Sequence, residues 1–274
     1  MKTLLLIISL FLFSCKKESK LISAIETNNK PENTAVSFEG KSKTIHIFVA
    51  LCDNKYQGIV PVPAKIGNGQ DPDNNLYWGC AYGIRSYFKK SKEWKFLKSE
   101  KNINDIVLER VIFKHTSKDY YLVADAYDGK YIKECTVDFL KSSSGIAKDT
   151  LNINNETIGI SGNSSLVSYI GHDGLMDFQL SESFKNTDNK KRDVIILACY
   201  SKRFFSSHLT DANVNPLVWS TNLMAPEAYI VHDAITGYIN NEDNQQIRNR
   251  AAKAYSKFQK CSEKAAKNLL VTDW

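Results

Sequence analysis

Five short runs in this chain are largely apolar instead of apolar at every second residue: KTIHIFVALCDN (43–54), a run within TSKDYYLVADAYDGKY (116–131) that ends near Asp125, SLVSYIGH (165–172), DVIILACY (193–200) and PLVWSTN (216–222). A strand with one wet face alternates apolar and polar residues. A run without alternation must be covered on both faces, which is the condition of strands in a parallel sheet sandwiched between helices. The intervening stretches supply the covers. NLYWGCAYGIRSYFKKS (75–91), YIKECTVDFLKSSSG (131–145), APEAYIVHDAITGYI (225–239) and the amphipathic IRNRAAKAYSKFQKCSEKAAKNLL (247–270) are predicted helices. Pro226 sits near the first turn of the third, where its missing N–H costs nothing, and Gly145 stops the second. The order predicts an α/β fold of three layers around a mostly parallel central sheet, built as one domain over residues 43–274.

What precedes that domain reads differently. MKTLLLIISLFLFSC has one lysine, an apolar stretch from Leu4 to Phe13 broken only by Ser9, and a small residue before Cys15. The stretch is too short for a bilayer, which takes about 20 apolar residues, but suits the core of a secretory signal. Leu12-Phe13-Ser14-Cys15 resembles the lipobox of bacterial lipoproteins. That resemblance implies a signal peptide over 1–14, an acylated Cys15 as first mature residue, and a membrane-anchored protein facing the periplasm or the outer-membrane surface. A plain signal without lipid is the alternative. Residues 15–42 are charged, contain Pro31 and show no apolar period, as a flexible tether would. The formal net charge of +6 is mild, and its basic residues are scattered. Without a basic, aromatic-studded strand motif, nucleic acid is not an expected partner.

Function in a parallel sheet concentrates beyond the carboxyl ends of its strands. His172 ends one predicted strand and Cys199 ends the next, 27 residues on. Neighbouring strands lie about 4.8 Å apart, so imidazole and thiol on one rim can work together. A histidine that takes the thiol proton makes the sulfur a nucleophile, and the oxyanion formed on attack needs backbone N–H donors. Those at Cys199 and in the turn through Asp173 and Gly174 are the candidates. The bland alternative is a cysteine buried as a small hydrophobe.

An apolar strand running into His-Gly-type sequence (SLVSYIGHDG), followed by an apolar strand ending Ala-Cys (DVIILAC), resembles the caspase-like cysteine peptidases, the group of legumain, clostripain, gingipain and separase. The resemblance implies a caspase-like α/β sandwich with Cys199 as nucleophile and His172 as general base. It also implies a peptide or protein substrate and an oxyanion donor from the glycine after the histidine. A relative that has kept the fold and lost catalysis, serving as a binding or scaffold lipoprotein, is the alternative.

Other residues carry weaker expectations. Asp125, placed at the end of the second strand, could orient His172 or bind substrate. Asn222 and Glu227, in NLMAPE, fall where a specificity pocket could form. His46 and His115 read as structural, His208 as a possible lining residue, and His232 with Asp233 as surface or packing groups. Tyr77 and Trp78 read as packing, with a cleft wall as the alternative. Besides Cys15 there are Cys52, Cys80, Cys135, Cys199 and Cys261, an odd number, so at least one stays unpaired within the chain; pairing among the rest is open. His, Cys and Asp show no metal-ligand spacing, no phosphate loop is present, and no C-x-x-C supports redox chemistry. No metal or cofactor is therefore expected.

Overall fold

The computed structural model describes Phe38 and residues 40–274. The signal segment 1–14, Cys15 and most of the tether 15–42 lie outside the described residues.

Among the described residues the first element is strand β1 (Lys43–Ala50), and a long loop leads from it to helix α1 (Ile84–Lys90). Strands β2 (Trp94–Lys101), β3 (Val107–His115) and β4 (Tyr120–Tyr127) follow, then helix α2 (Ile132–Ser143) and a hairpin of β5 (Lys148–Ile153) and β6 (Glu156–Ser161). Next come β7 (Leu166–Ile170), β8 (Arg192–Leu197), helix α3 (Ser201–Leu209) and β9 (Val214–Ser220). Helices α4 (Ala228–Ile239), α5 (Asn244–Gln259) and α6 (Glu263–Leu269) lead to β10 (Leu270–Val271).

The main sheet has eight strands in the order β10-β9-β8-β7-β1-β4-β3-β2. From β9 to β4 every pairing is parallel; β10, β3 and β2 are antiparallel additions at the edges. The expected α/β architecture with a mostly parallel sheet is the observed one. Burial along β1 explains it: Ile45, Ile47 and Val49 enter one apolar cluster with α1, α4 and α5, whereas Phe48 and Ala50 enter a second with α2 and α3. Each of the larger of these side chains stabilises the fold by about 1.5–3 kcal/mol on burial. Both faces are therefore dry, and the sequence has no reason to alternate.

Three local expectations need correction. Residues 75–83 are not helical; the helix begins at Ile84. The fully buried Asn75 causes this, because its side chain accepts from Cys52 N and Tyr77 N and donates to Cys52 O and Asn68 O, tying the loop to the end of β1. Such side-chain bonds compete with helical ones. The final 24-residue amphipathic run is two helices, not one. Lys260 takes a left-handed φ of 55°, and Ser262 caps α6 by accepting from Ala265 N. Finally, β4 continues past Asp125 to Tyr127, so Asp125 lies inside the sheet and not at its rim.

Candidate functional site

Strand order reverses at β1: β4 follows on one side, while β7 and β8 continue on the other. Loops leaving the carboxyl ends of β1 and β7 diverge there, the place where open α/β sheets form a crevice. The β7–β8 register pairs Ile170 with Leu197, and Gly171 N still donates to Leu197 O at 3.2 Å. The same offset of 27 carries to His172 and Cys199, so both leave the sheet at one level of one rim.

His172 is 6 % exposed. Gly171 delivers it with φ +146°, and a Cβ on that glycine would stand 2.6 Å from Ala50 O. The Tyr169 hydroxyl donates to His172 O at 2.7 Å, fixing the turn. The ring is held as well: its Nε2 lies 2.8 Å from Asp177 Oδ2. A carboxylate only accepts, so in the neutral ring Nε2 carries the proton and Nδ1 keeps the basic lone pair. Asp177 Oδ2 also accepts from Gly58 N at 2.9 Å, which links the loop after β7 to the loop after β1. A Cβ on Gly58 would meet Asp177 Oδ1 at 2.3 Å, so a larger residue there would push the carboxylate from its place.

Cys199 sits between β8 and α3 on a strand–turn–helix corner. The next residue, Tyr200, is left-handed (φ 50°, ψ 27°), a conformation costly for a non-glycine residue and found where surrounding structure over-determines it. Around it Tyr200 N donates to Asn222 O, Ser201 Oγ to Ile196 O, and Ser220 Oγ to Ala198 O. The sulfur lies 3.4 Å from Met224 N, which donates to it, and 3.6 Å from Met224 O. Burial raises the Cys199 pKa, the Met224 N–H partly offsets this, and Asp173 adds to the rise. The resting side chain is thus a protonated thiol. Among the described residues no hydrogen bond joins it to His172. Cys52, Cys80, Cys135, Cys199 and Cys261 are all free thiols, so the odd cysteine is one of five unpaired ones.

Asp173 is fully buried. Its Oδ1 accepts from Leu175 N, while Oδ2 has no partner. Burial pushes the carboxyl up to about 7; the Leu175 N–H opposes this and Asp177 adds to it. Among the described residues no backbone acceptor takes the N–H of Gly174 or of Cys199. Uncommitted backbone donors therefore exist beside both residues that could act on a carbonyl.

The remaining expected residues divide. Asn222 belongs to the rim through its backbone, but its Oδ1 is taken by Leu223 N. Glu227 stands at the N-cap position of α4 without a side-chain capping bond, and it accepts from the Tyr229 hydroxyl and Gln259 Nε2. Tyr77 adjoins the site: burial drives its hydroxyl pKa well up, and the Cys52 and Cys199 thiols add to this. Trp78 is a packing residue whose Nε1 donates to Glu109. His208 packs against Phe184. Asp125 is engaged elsewhere, accepting two bonds of 2.6 Å from Arg110 and one contact of 3.1 Å from His46 Nε2, while His46 Nδ1 accepts from Ser161 N. It cannot orient His172.

Sequence reasoning missed Asp177, five residues after the histidine, and the Met224 backbone. Neither falls in a periodic element, and only the loop conformations bring them in. Among the described residues no three His, Cys, Asp or Glu side chains converge as a metal group, and no helix is long and apolar enough to cross a membrane. Comparison with known proteins finds no matching family model, curated protein or solved structure.

Proposed function

We propose that this chain is a lipid-anchored cysteine peptidase of caspase-like type, tethered through an acylated Cys15 on the periplasmic side or the outer-membrane surface. One observation carries the reading: a histidine with its free nitrogen set by Asp177 and a cysteine on a strained strand–helix corner occupy one level of one rim, on adjacent parallel strands.

A raised thiol pKa argues for general-base catalysis instead of a preformed thiolate–imidazolium pair. As a peptide enters the crevice, His172 Nδ1 takes the thiol proton while Sγ attacks the carbonyl carbon. The Gly174 and Cys199 amides receive the oxyanion. The imidazolium then protonates the leaving amine, and water releases the acyl group by the reverse path. The Met224 backbone has to yield Sγ for this, so movement of the loop at Asn222–Glu227 accompanies substrate binding.

That same contact favours a second reading, a binding lipoprotein in which Met224 permanently occupies the sulfur. A degenerate peptide mixture incubated with the protein separates the two. The peptidase reading expects discrete cleavage that Cys199→Ala lowers by about a thousandfold or more. Cleavage that survives the substitution, or none from either protein, contradicts it.

A further inference from the structure

We propose a second reactive site, distinct from the Cys199 rim and independent of the peptidase reading: Ser91 is an acyl-accepting nucleophile activated by His232 and Asp233, at the mouth of an aromatic cavity.

Ser91 terminates α1 and His232 lies one turn into α4, two helices that pack on each other. Ser91 Oγ stands 3.0 Å from His232 Nε2, and His232 Nδ1 stands 3.1 Å from Asp233 Oδ1. Donor and acceptor roles follow from these contacts. Asp233 can only accept, so Nδ1 carries the ring proton; Nε2 of the neutral ring is then an acceptor, and the Ser91 hydroxyl must donate to it. Glu93 N donates to Ser91 Oγ at 3.2 Å, which is compatible with that direction. A serine whose hydroxyl proton is aimed at a base, with the base oriented by a carboxylate, is the arrangement acyl transfer uses on unrelated folds. The imidazole is held edge-on against Tyr87 (5.4 Å between centroids) and tilted against Phe88 (5.3 Å). A second carboxylate, Glu93, comes within 3.6 Å of Nε2 and can stabilise the imidazolium.

The surroundings fit a substrate class. Ser91 and His232 open on a cavity of about 450 Å³ whose other walls are Ala81, Tyr82, Tyr87 and Lys90. Two tyrosine rings favour an apolar or aryl group, and the Lys90 ammonium is available to the oxyanion or to a substrate carboxylate. The substrate is a small aryl or alkyl ester. Ser91 Oγ bonds to the acyl carbon as its proton passes to His232 Nε2, and the ester C–O bond breaks as that proton passes to the departing alcohol. Water then cleaves the acyl-serine through the same imidazole, releasing the carboxylic acid and restoring Ser91.

An aryl fluorophosphonate tests the site in the full chain carrying Cys199→Ala, so that the thiol contributes nothing. The Ser91 oxygen should displace fluoride and appear as a phosphonyl adduct on the peptide containing Ser91. His232→Asn should slow labelling about a hundredfold. Asp233→Asn, whose exposed carboxylate can be replaced without disturbing the core, should slow it about fivefold. Near-ultraviolet circular dichroism identifies any unfolded variant, for which His232→Gln substitutes. Absence of an adduct on Ser91, or an adduct formed at the same rate in the His232 and Asp233 variants, overturns the proposal.

Discussion

Two histidines in this sheet are each bound to an aspartate, and they differ in everything around that bond. His46, in mid-strand, has both ring nitrogens committed, one to Asp125 and one to Ser161 N, while Arg110 donates to both oxygens of the same carboxylate. His172, at the rim, has one nitrogen committed to Asp177 and, among the described residues, no partner for the other. The same rim carries an Asp173 carboxylate oxygen and the N–H groups of Gly174 and Cys199, all without a partner among the described residues, and a left-handed tyrosine. A buried polar network whose members are all satisfied holds strands together. One left incomplete on a sheet rim has capacity for a substrate. The pairing alone does not mark function; the unmet valences do.

The largest effect that separates the regions is on stability. Arg110→Ala leaves the buried Asp125 charge without its main partner and should cost about 3–5 kcal/mol, read as a lower urea midpoint, with Cys199 alkylation unchanged at low urea. A change in thiol reactivity as large as the change in stability would show that the regions are one unit.

The two aspartates should also respond to pH with opposite sign. Burial pushes the Asp125 carboxyl up, but the Arg110 and His46 hydrogen bonds outweigh it and hold it at about 2, against an ordinary 3.8. Its folded pKa is depressed, so its contribution is present above the ordinary value and fades as pH falls toward 2, a loss of about 2 kcal/mol. For Asp173 the folded pKa is raised to about 7. The folded state holds that proton more tightly than the unfolded chain, so stability falls as pH climbs from the ordinary value to about 7, by roughly 4 kcal/mol at most. Asp173→Asn should accordingly stabilise the protein above neutral pH, and Asp125→Asn should destabilise it there. Denaturant titrations across pH check both, and matching signs would remove the distinction. Because Asp173 also raises the Cys199 pKa, its replacement by asparagine should speed alkylation of that thiol at neutral pH.

A smaller effect refines the rim. Asp177→Asn keeps a hydrogen-bond acceptor but frees the choice of tautomer at His172, and should slow Cys199-dependent peptide cleavage about tenfold or more while leaving peptide KM nearly unchanged. A rise in KM alone would make Asp177 a binding residue.

Much of this was legible in the chain. Strands β1, β7, β8 and β9 announce themselves because burial on both faces removes alternation, and the placement of His172 and Cys199 at two successive strand ends follows from that pattern. Strand β2 did not announce itself. WKFLKSEK is an edge strand with most side chains wet, and its lysines and serine resemble loop composition as closely as strand. The site was legible only as far as its strands reached. Asp177, Met224 and Tyr77 enter through loops, and Asn75 turned an expected helix into the knot that carries Tyr77 to the rim. Asp125 was misplaced by two residues, enough to move it from crevice to core.

The central claim, that His172 serves as base to Cys199, is tested most directly by the rate at which iodoacetamide modifies Cys199 in the folded protein, followed on the Cys199 peptide from mildly acidic to alkaline pH. His172→Ala should slow the reaction by about tenfold to a hundredfold near neutrality, with the two proteins converging once the thiol ionises unaided. Identical rates at every pH, or a Cys199 that stays unmodified until the protein unfolds, would contradict it.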